Sequence, residues 1–138
     1  MWHKEVDPDA WQGGYVFFPE EEMRCRGFAK GECSCGGVLP KHSFMLTLVE
    51  LRKNTGPLSI TSGARCGVYN SKVSNTGTTG PHEHGLAADI ACTHEHTLKI
   101  IEEALKLPFT GFGLDQKGGG RYIHLDMMVR PSRYIWTY

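Results

Sequence analysis

The sequence predicts a small α+β domain, an antiparallel sheet with helices packed on one face. Three observations predict it. The chain has 138 residues, 40% of them hydrophobic, which suits one moderate core and a single domain over residues 1–138. Apolar residues recur at helical spacing in two stretches, 43–56 and 97–108. Short apolar runs at 57–61, 86–92, 110–115 and 121–129 are bounded by glycine, proline and polar turn residues, as strands are.

The elements follow in order. In FFPEEEMRC, Pro19 suits a first helical turn with acids behind it. GECSCGGVLP reads as a loop. From Ser43, SFMLTLVELRKNTG places Phe44, Met45, Leu48, Val49 and Arg52 on one helical face, with Asn54 and Gly56 where the helix ends. PLSIT is a short strand. The polar stretch 62–80 reads as a long loop, a length that in a compact domain points to function or disorder. LAADIAC is a small-residue strand. TLKIIEEALKLP is a helix with Leu98, Ile101 and Leu105 on one face, stopped by Pro108. TGFGLD and RYIHLDMMV pair as a hairpin across KGGG, and the aromatic tail PSRYIWTY packs back onto the domain.

Bulk properties exclude some partners. Lysine plus arginine and aspartate plus glutamate each number 15, so nothing electrostatic favours nucleic acid or a membrane surface as partner. A monomer is expected. No apolar run approaches the ~20 residues of a membrane helix. MWHKEVDPDAW lacks the basic and apolar regions of a secretory signal, so synthesis in the cytoplasm is expected. The five cysteines cannot all pair within one chain, which favours free thiols in a reducing compartment. Cys25, Cys33 and Cys35 cluster in sequence. They read either as small buried thiols or as part of a structural metal site with His42 as a candidate fourth ligand, although Cys-x7-Cys-x-Cys is no standard zinc-finger spacing.

Two histidine triplets raise the question of a metal: PHEHGLAADI from Pro81 and THEHTLKI from Thr93. A helical His-Glu-x-x-His site would need histidine at 86 or 98, and both positions hold leucine. A deaminase site would need Cys-x-x-Cys downstream, and the clustered cysteines lie upstream. His94 and His96 have no matching downstream partners and read as a solvated helix start. What remains is His82-x-x-Gly85-x-Ala87-x-Asp89, followed by His124-x-Asp126 on a strand.

This pattern, with Ser62-Gly63-x-Arg65 upstream, resembles the zinc D-Ala-D-Ala carboxypeptidase (peptidase M15) family, in its phage endolysin-like branch, over roughly residues 15–130. The resemblance implies a Hedgehog/DD-peptidase-like fold. It also implies a zinc ion held by His82, Asp89 and His124, with a fourth position left for water. Two imidazoles and one carboxylate would cancel one of the metal's two charges, and the remainder would acidify that water. The implied substrate is the peptidoglycan stem peptide, cut as a carboxypeptidase or as an L-Ala-D-Glu type endopeptidase, after release from the cell or within a phage particle. Arg65 resembles the arginine that anchors a substrate carboxylate, with a structural salt bridge as its alternative. His84 flanks the site as a substrate-contact candidate.

Two departures stand out. Many relatives carry Glu or Asp three residues before the second histidine, where this chain has Arg121. Asp126 is then the first candidate for the catalytic base, or else it orients His124, with Asp115 and Glu83 as further candidates. Gly80 stands where many relatives have serine. Without a base, the alternative is a non-catalytic zinc-containing binding module of the same fold.

Overall fold

A computed structural model describes residues 7–75 and 80–138. The elements are α1 (Glu20–Met23), α2 (Arg26–Ala29), α3 (His42–Thr55), β1 (Ser59–Ser62), α4 (Gly67–Val73), β2 (Ala87–Ala91), α5 (His94–Ala104), β3 (Gly111–Asp115), β4 (Tyr122–Asp126) and β5 (Tyr134–Thr137). The strands form one sheet in the order β1-β2-β4-β3-β5. The fold is α+β, as the sequence predicts. No helix among the described residues is long and apolar enough to cross a membrane.

The sheet is mixed rather than wholly antiparallel. β1, β2, β4 and β3 pair antiparallel, but β5 runs parallel to β3. The connection explains it. β4 ends at Asp126, beside Gly111 at the start of β3. Residues 127–133 pass across that end, held by Thr110 Oγ1 donating to Met128 O at 2.5 Å and Tyr134 N donating to Thr110 O at 2.8 Å. The chain then leaves on the far side of β3 in the same direction as β3. A short crossover serves because β3 lies between the two strands it joins.

Alternation along the strands gives the sheet two different faces. Ile60, Ala88, Ile90, Phe112, Ile123 and Leu125 point to the core, where they meet Phe44, Met45, Leu48 and Leu51 of α3 and Ile100 and Ala104 of α5. Phe109 stands edge-on to Phe44 at 6.2 Å. Each fully buried side chain of this size stabilises the fold by about 1.5–3 kcal/mol. The opposite face carries Asp89, Tyr122, His124 and Asp126, and it is the face that matters for function.

α3 matches its expected span within a residue. Its first turn is held from a distance, since Ser43 N and Ser43 Oγ donate to the Asp9 carboxylate at 2.7 and 2.9 Å. Gly56 ends it with φ +83°, a conformation glycine adopts without strain.

α5 begins at His94, and the expected face is out of phase. Thr97, Ile100, Glu103 and Ala104 are buried, while Leu98 and Leu105 are exposed; Ile101 packs partly against the core. The burial of Thr97 is met by a bond to Gln116 Oε1 at 3.1 Å, and Glu103 is met by Lys99 and Lys106. With these polar atoms paired, Thr97 and Glu103 turn inward beside Ile100 and Ala104. The stretch 62–80 is also not wholly loop: it contains α4, whose first turn is capped by Cys66 Sγ accepting from Tyr69 N at 3.4 Å. Residues 76–79 of that stretch lie outside the described residues.

Candidate metal centre

The register of the sheet places the site. Asp89 on β2 lies directly beside His124 on β4, on the same face. His82 reaches them from the turn that precedes β2. That turn is built on Gly85, at φ +69°, where an added Cβ would lie 3.1 Å from Lys41 N and 3.3 Å from Leu39 O. Any side chain there would be both strained and crowded. Gly80 closes the turn by accepting from Glu83 N at 3.0 Å.

Three donor atoms converge. His82 Nε2 lies 3.2 Å from Asp89 Oδ1, His124 Nδ1 lies 3.2 Å from Asp89 Oδ1, and His124 Nδ1 lies 3.2 Å from His82 Nε2. A tetrahedral zinc with N and O ligands at ordinary lengths has ligand–ligand edges of about 3.3 Å. The triangle therefore fits that ion. All three residues are buried.

Hydrogen bonds behind the triangle fix which atoms face it. His82 Nδ1 lies 2.7 Å from Gly63 O; a carbonyl only accepts, so Nδ1 carries the proton and the Nε2 lone pair faces Asp89. Gly63 must be glycine because an added Cβ would collide with the Met23 backbone. This is the structural content of the Ser-Gly-x-Arg segment. Arg65 completes it: Nη2 donates to Asp89 Oδ2 at 3.2 Å, Nε to Ser62 Oγ at 3.0 Å and Nη1 to Asn70 Oδ1 at 3.2 Å. Arg65 thus makes the structural salt bridge and also lines the cavity over the triangle.

Asp126 lies behind His124, not in front of the triangle. Its Oδ2 accepts from His124 Nε2 at 2.7 Å and from Arg130 Nη2 at 3.1 Å. Its Oδ1 accepts from Arg130 Nη1 and from Met128 N. The residue is fully buried and does not line the cavity. Both oxygens are engaged, so these surroundings do not support the expected role as proton acceptor. They support the other one, orientation of His124.

The remaining candidates do not replace it. Asp115, at the end of β3, and Glu83, in the turn beside His82, do not line the cavity. His84 is exposed and also outside the cavity wall, which gives the expected substrate contact no support. Arg121 holds the glycine turn by donating to Gly118 O at 2.9 Å. His94 and His96 stand at the start of α5, as expected of the second triplet.

The cavity is about 700 Å³. Besides the triangle, its wall includes Arg65, Lys72, Tyr122, Arg130, Trp136 and Tyr138. Among the described residues, Asp89 is its one acidic group. Lys72, Arg130, Trp136 and Tyr138 are contributions the sequence reading missed. Arg130 lies beyond the strand pattern, and Trp136 depends on the parallel pairing of β5. Trp136 stands opposite Gly113, where an added Cβ would lie 2.6 Å from its Nε1, and its ring is 5.2 Å from that of His124.

Electrostatics follow the geometry. Burial opposes ionisation of Asp89, but bonds to His124 and His82 outweigh it and hold the carboxyl well below its usual range. Burial likewise opposes ionisation of Asp126, while His124 and Arg130 hold its pKa at about 2. Burial lowers the pKa of His124, but Asp126 and Asp89 raise it more, and the net shift is upward from 6.5. A raised histidine pKa stabilises the metal-free fold fully below the unfolded value, and that contribution is lost as pH rises through the folded value. A metal must displace the same proton. Zinc affinity is therefore expected to fall on acidification, beginning above pH 6.5, with proton release on binding. Titration calorimetry in buffers of different ionisation enthalpy checks this; a binding heat independent of buffer would contradict it.

Gly111 offers a second test. It pairs with Asp126 across β3 and β4, and an added Cβ would collide with Asp126 Oδ2 and lie 2.6 Å from Arg130 Nη1. Gly111→Ala is expected to weaken zinc affinity by roughly 10–100-fold, the usual effect of disturbing a ligand's hydrogen-bond partner. Gly119→Ala, with open space around it, is the control. Competition with a chromogenic chelator measures both.

Fold and site together define a sheet-mounted centre of two histidines and one carboxylate, open to a cavity on one side. The chain belongs to the peptidase M15 family, whose model matches residues 17–126 and so includes His82, Asp89, His124, Arg65 and Asp126. Comparison with curated proteins and with solved structures returned no significant match.

Proposed function

We propose that this chain is a zinc-dependent peptidase that hydrolyses peptide bonds of the peptidoglycan stem peptide. The observation that carries the reading is the triangle of His82, Asp89 and His124, with edges of 3.2 Å, at the base of a cavity. When bound there, zinc would polarise a peptide carbonyl and acidify an attacking water. The chain's own residues do the rest. Gly63 O and Asp126 fix the two imidazoles so that one lone pair of each faces the metal position. Arg65 holds the Asp89 carboxylate in place. Arg65, Lys72 and Arg130 line the cavity and offer N–H donors suited to the carbonyls and carboxylates of a peptide. Trp136 and Tyr122 supply flat walls beside His124.

One observation favours a second reading, a non-catalytic zinc-containing binding module. Among the described residues, no carboxylate other than the ligand Asp89 lines the cavity, so no proton acceptor of the expected kind is in place. Turbidity of purified cell walls separates the readings. The peptidase reading expects clearing that a chelator abolishes and zinc restores. Wall binding without clearing would support the module. The proposed setting remains the cell wall, reached after release or as part of a phage particle, with endolysin-like action by a monomer.

A further inference from the structure

The fold brings four cysteines together from three separate stretches. Cys25 immediately precedes α2, Cys33 and Cys35 lie in the following loop, and Cys66 immediately precedes α4. Their sulfurs all lie within 4.8 Å of one another. We propose that Cys25, Cys33, Cys35 and Cys66 form a tetrathiolate zinc site that is structural and separate from the histidine centre. His42, the ligand candidate of the sequence reading, is not part of it; its Nδ1 is bonded to Tyr15 Oη at 2.7 Å.

Geometry distinguishes this from the alternatives. A tetrahedral zinc with four sulfur ligands has sulfur–sulfur edges of about 3.8 Å. Here Cys25 and Cys33 are 3.9 Å apart, and Cys33 and Cys35 are 3.5 Å apart. Disulfide sulfurs would be about 2.05 Å apart. Nor are these packed core thiols, because Cys33, Cys35 and Cys66 are each partly exposed. The fifth cysteine, Cys92, is buried and apart, so the odd count resolves as one cluster of four and one core residue.

Main-chain donors reach three of the four sulfurs. Gly37 N donates to Cys35 Sγ at 3.3 Å, Cys66 N to Cys25 Sγ at 3.4 Å and Tyr69 N to Cys66 Sγ at 3.4 Å. Main-chain N–H groups aimed at sulfur stabilise the charged form and hold each ligand's direction. Gly36 and Gly37, at φ +79° and +87°, turn the chain after Cys35, and Cys25 N closes the loop on Val38 O at 2.9 Å. The site also has a structural task to perform. It ties residues 25–38 to Cys66, the neighbour of Arg65, and so braces the segment whose Gly63 carbonyl and Arg65 guanidinium set the histidine centre. The proposal does not rest on the peptidase reading.

The test uses the full chain purified under reducing conditions and equilibrated with zinc. The His82→Ala/His124→Ala variant removes the histidine centre and is expected to retain about one zinc per chain by elemental analysis. Loaded with cobalt(II) instead, it is expected to show the intense near-ultraviolet sulfur-to-cobalt charge transfer of thiolate ligation. Cys33→Ser/Cys35→Ser in the same background is expected to lose both the metal and the band. If that variant does not fold, the cobalt spectrum of the histidine variant decides alone. A histidine variant without zinc and without a charge-transfer band would overturn the proposal. Failure of the peptidase reading would leave these results unchanged.

Discussion

His82→Ala and His124→Ala are each expected to lose the metal of the histidine centre and to reduce wall hydrolysis to background. Each removes one of three donors, and the two that remain cannot close the coordination of a catalytic zinc. The effect should be the largest of any single substitution in the chain. The second triplet supplies the control. His94→Ala and His96→Ala lie at the start of α5, outside the cavity, and should leave metal content and activity unchanged. Zinc per chain and wall turbidity, measured together, check all four variants. Full zinc content in both His82→Ala and His124→Ala would contradict the assignment.

Asp126 and Arg130 carry the second large effect. Asp126 is fully buried and accepts from His124 Nε2, from both Arg130 Nη atoms and from Met128 N. Arg130→Ala would leave that carboxylate without its charge partner. Removing one member of a buried pair costs about 3–5 kcal/mol, read as a lower denaturation midpoint. Asp126→Asn is milder and more diagnostic. If Asp126 orients His124, the variant loses roughly 10–100-fold in zinc affinity, and excess zinc restores activity. If it were the base, zinc would stay bound while the rate fell by roughly 10²–10⁴, with no rescue. The first outcome is expected, and rate measured against added zinc distinguishes them.

The three ligands were legible through the resemblance of the His82-x-x-Gly85-x-Ala87-x-Asp89 and His124-x-Asp126 patterns to a known family, and strand periodicity explains why they meet. His124-x-Asp126 on a strand puts both side chains on one face, and Asp89 falls on the facing position of the neighbouring strand. Gly85 sits in a left-handed turn, in keeping with the tight turn its place between His82 and Asp89 implies, whereas the reason for Gly63 appears only in three dimensions, where it lies against the Met23 backbone. What alternation could not say is which atoms of Asp126 were already taken. That depends on Arg130, which lies past the end of the strand and returns through the 127–133 crossover.

The other misses have similar causes. The helical phase of α5 was misjudged because Leu98 and Leu105 outrank Thr97 and Ala104 in hydrophobicity. Yet the inward face was decided by paired polar atoms, Thr97 with Gln116 and Glu103 with two lysines. α4 was hidden in a polar stretch with no apolar stripe to mark it, and its cap is a sulfur rather than an oxygen. Cys66 could not be joined to Cys25, Cys33 and Cys35 from spacing, because it lies 31 positions after Cys35 and only the β1–α4 connection brings it back.

The proposed function requires that a metal held by His82, Asp89 and His124 cut the stem peptide. Mass spectrometry of muropeptides after digestion of purified peptidoglycan tests it most directly. New fragments that differ by hydrolysis of one defined stem-peptide bond are expected. They should be absent with a chelator, restored by zinc, and absent with His124→Ala. An unchanged muropeptide profile with zinc-loaded wild-type protein, or the same fragments from His124→Ala, would contradict it.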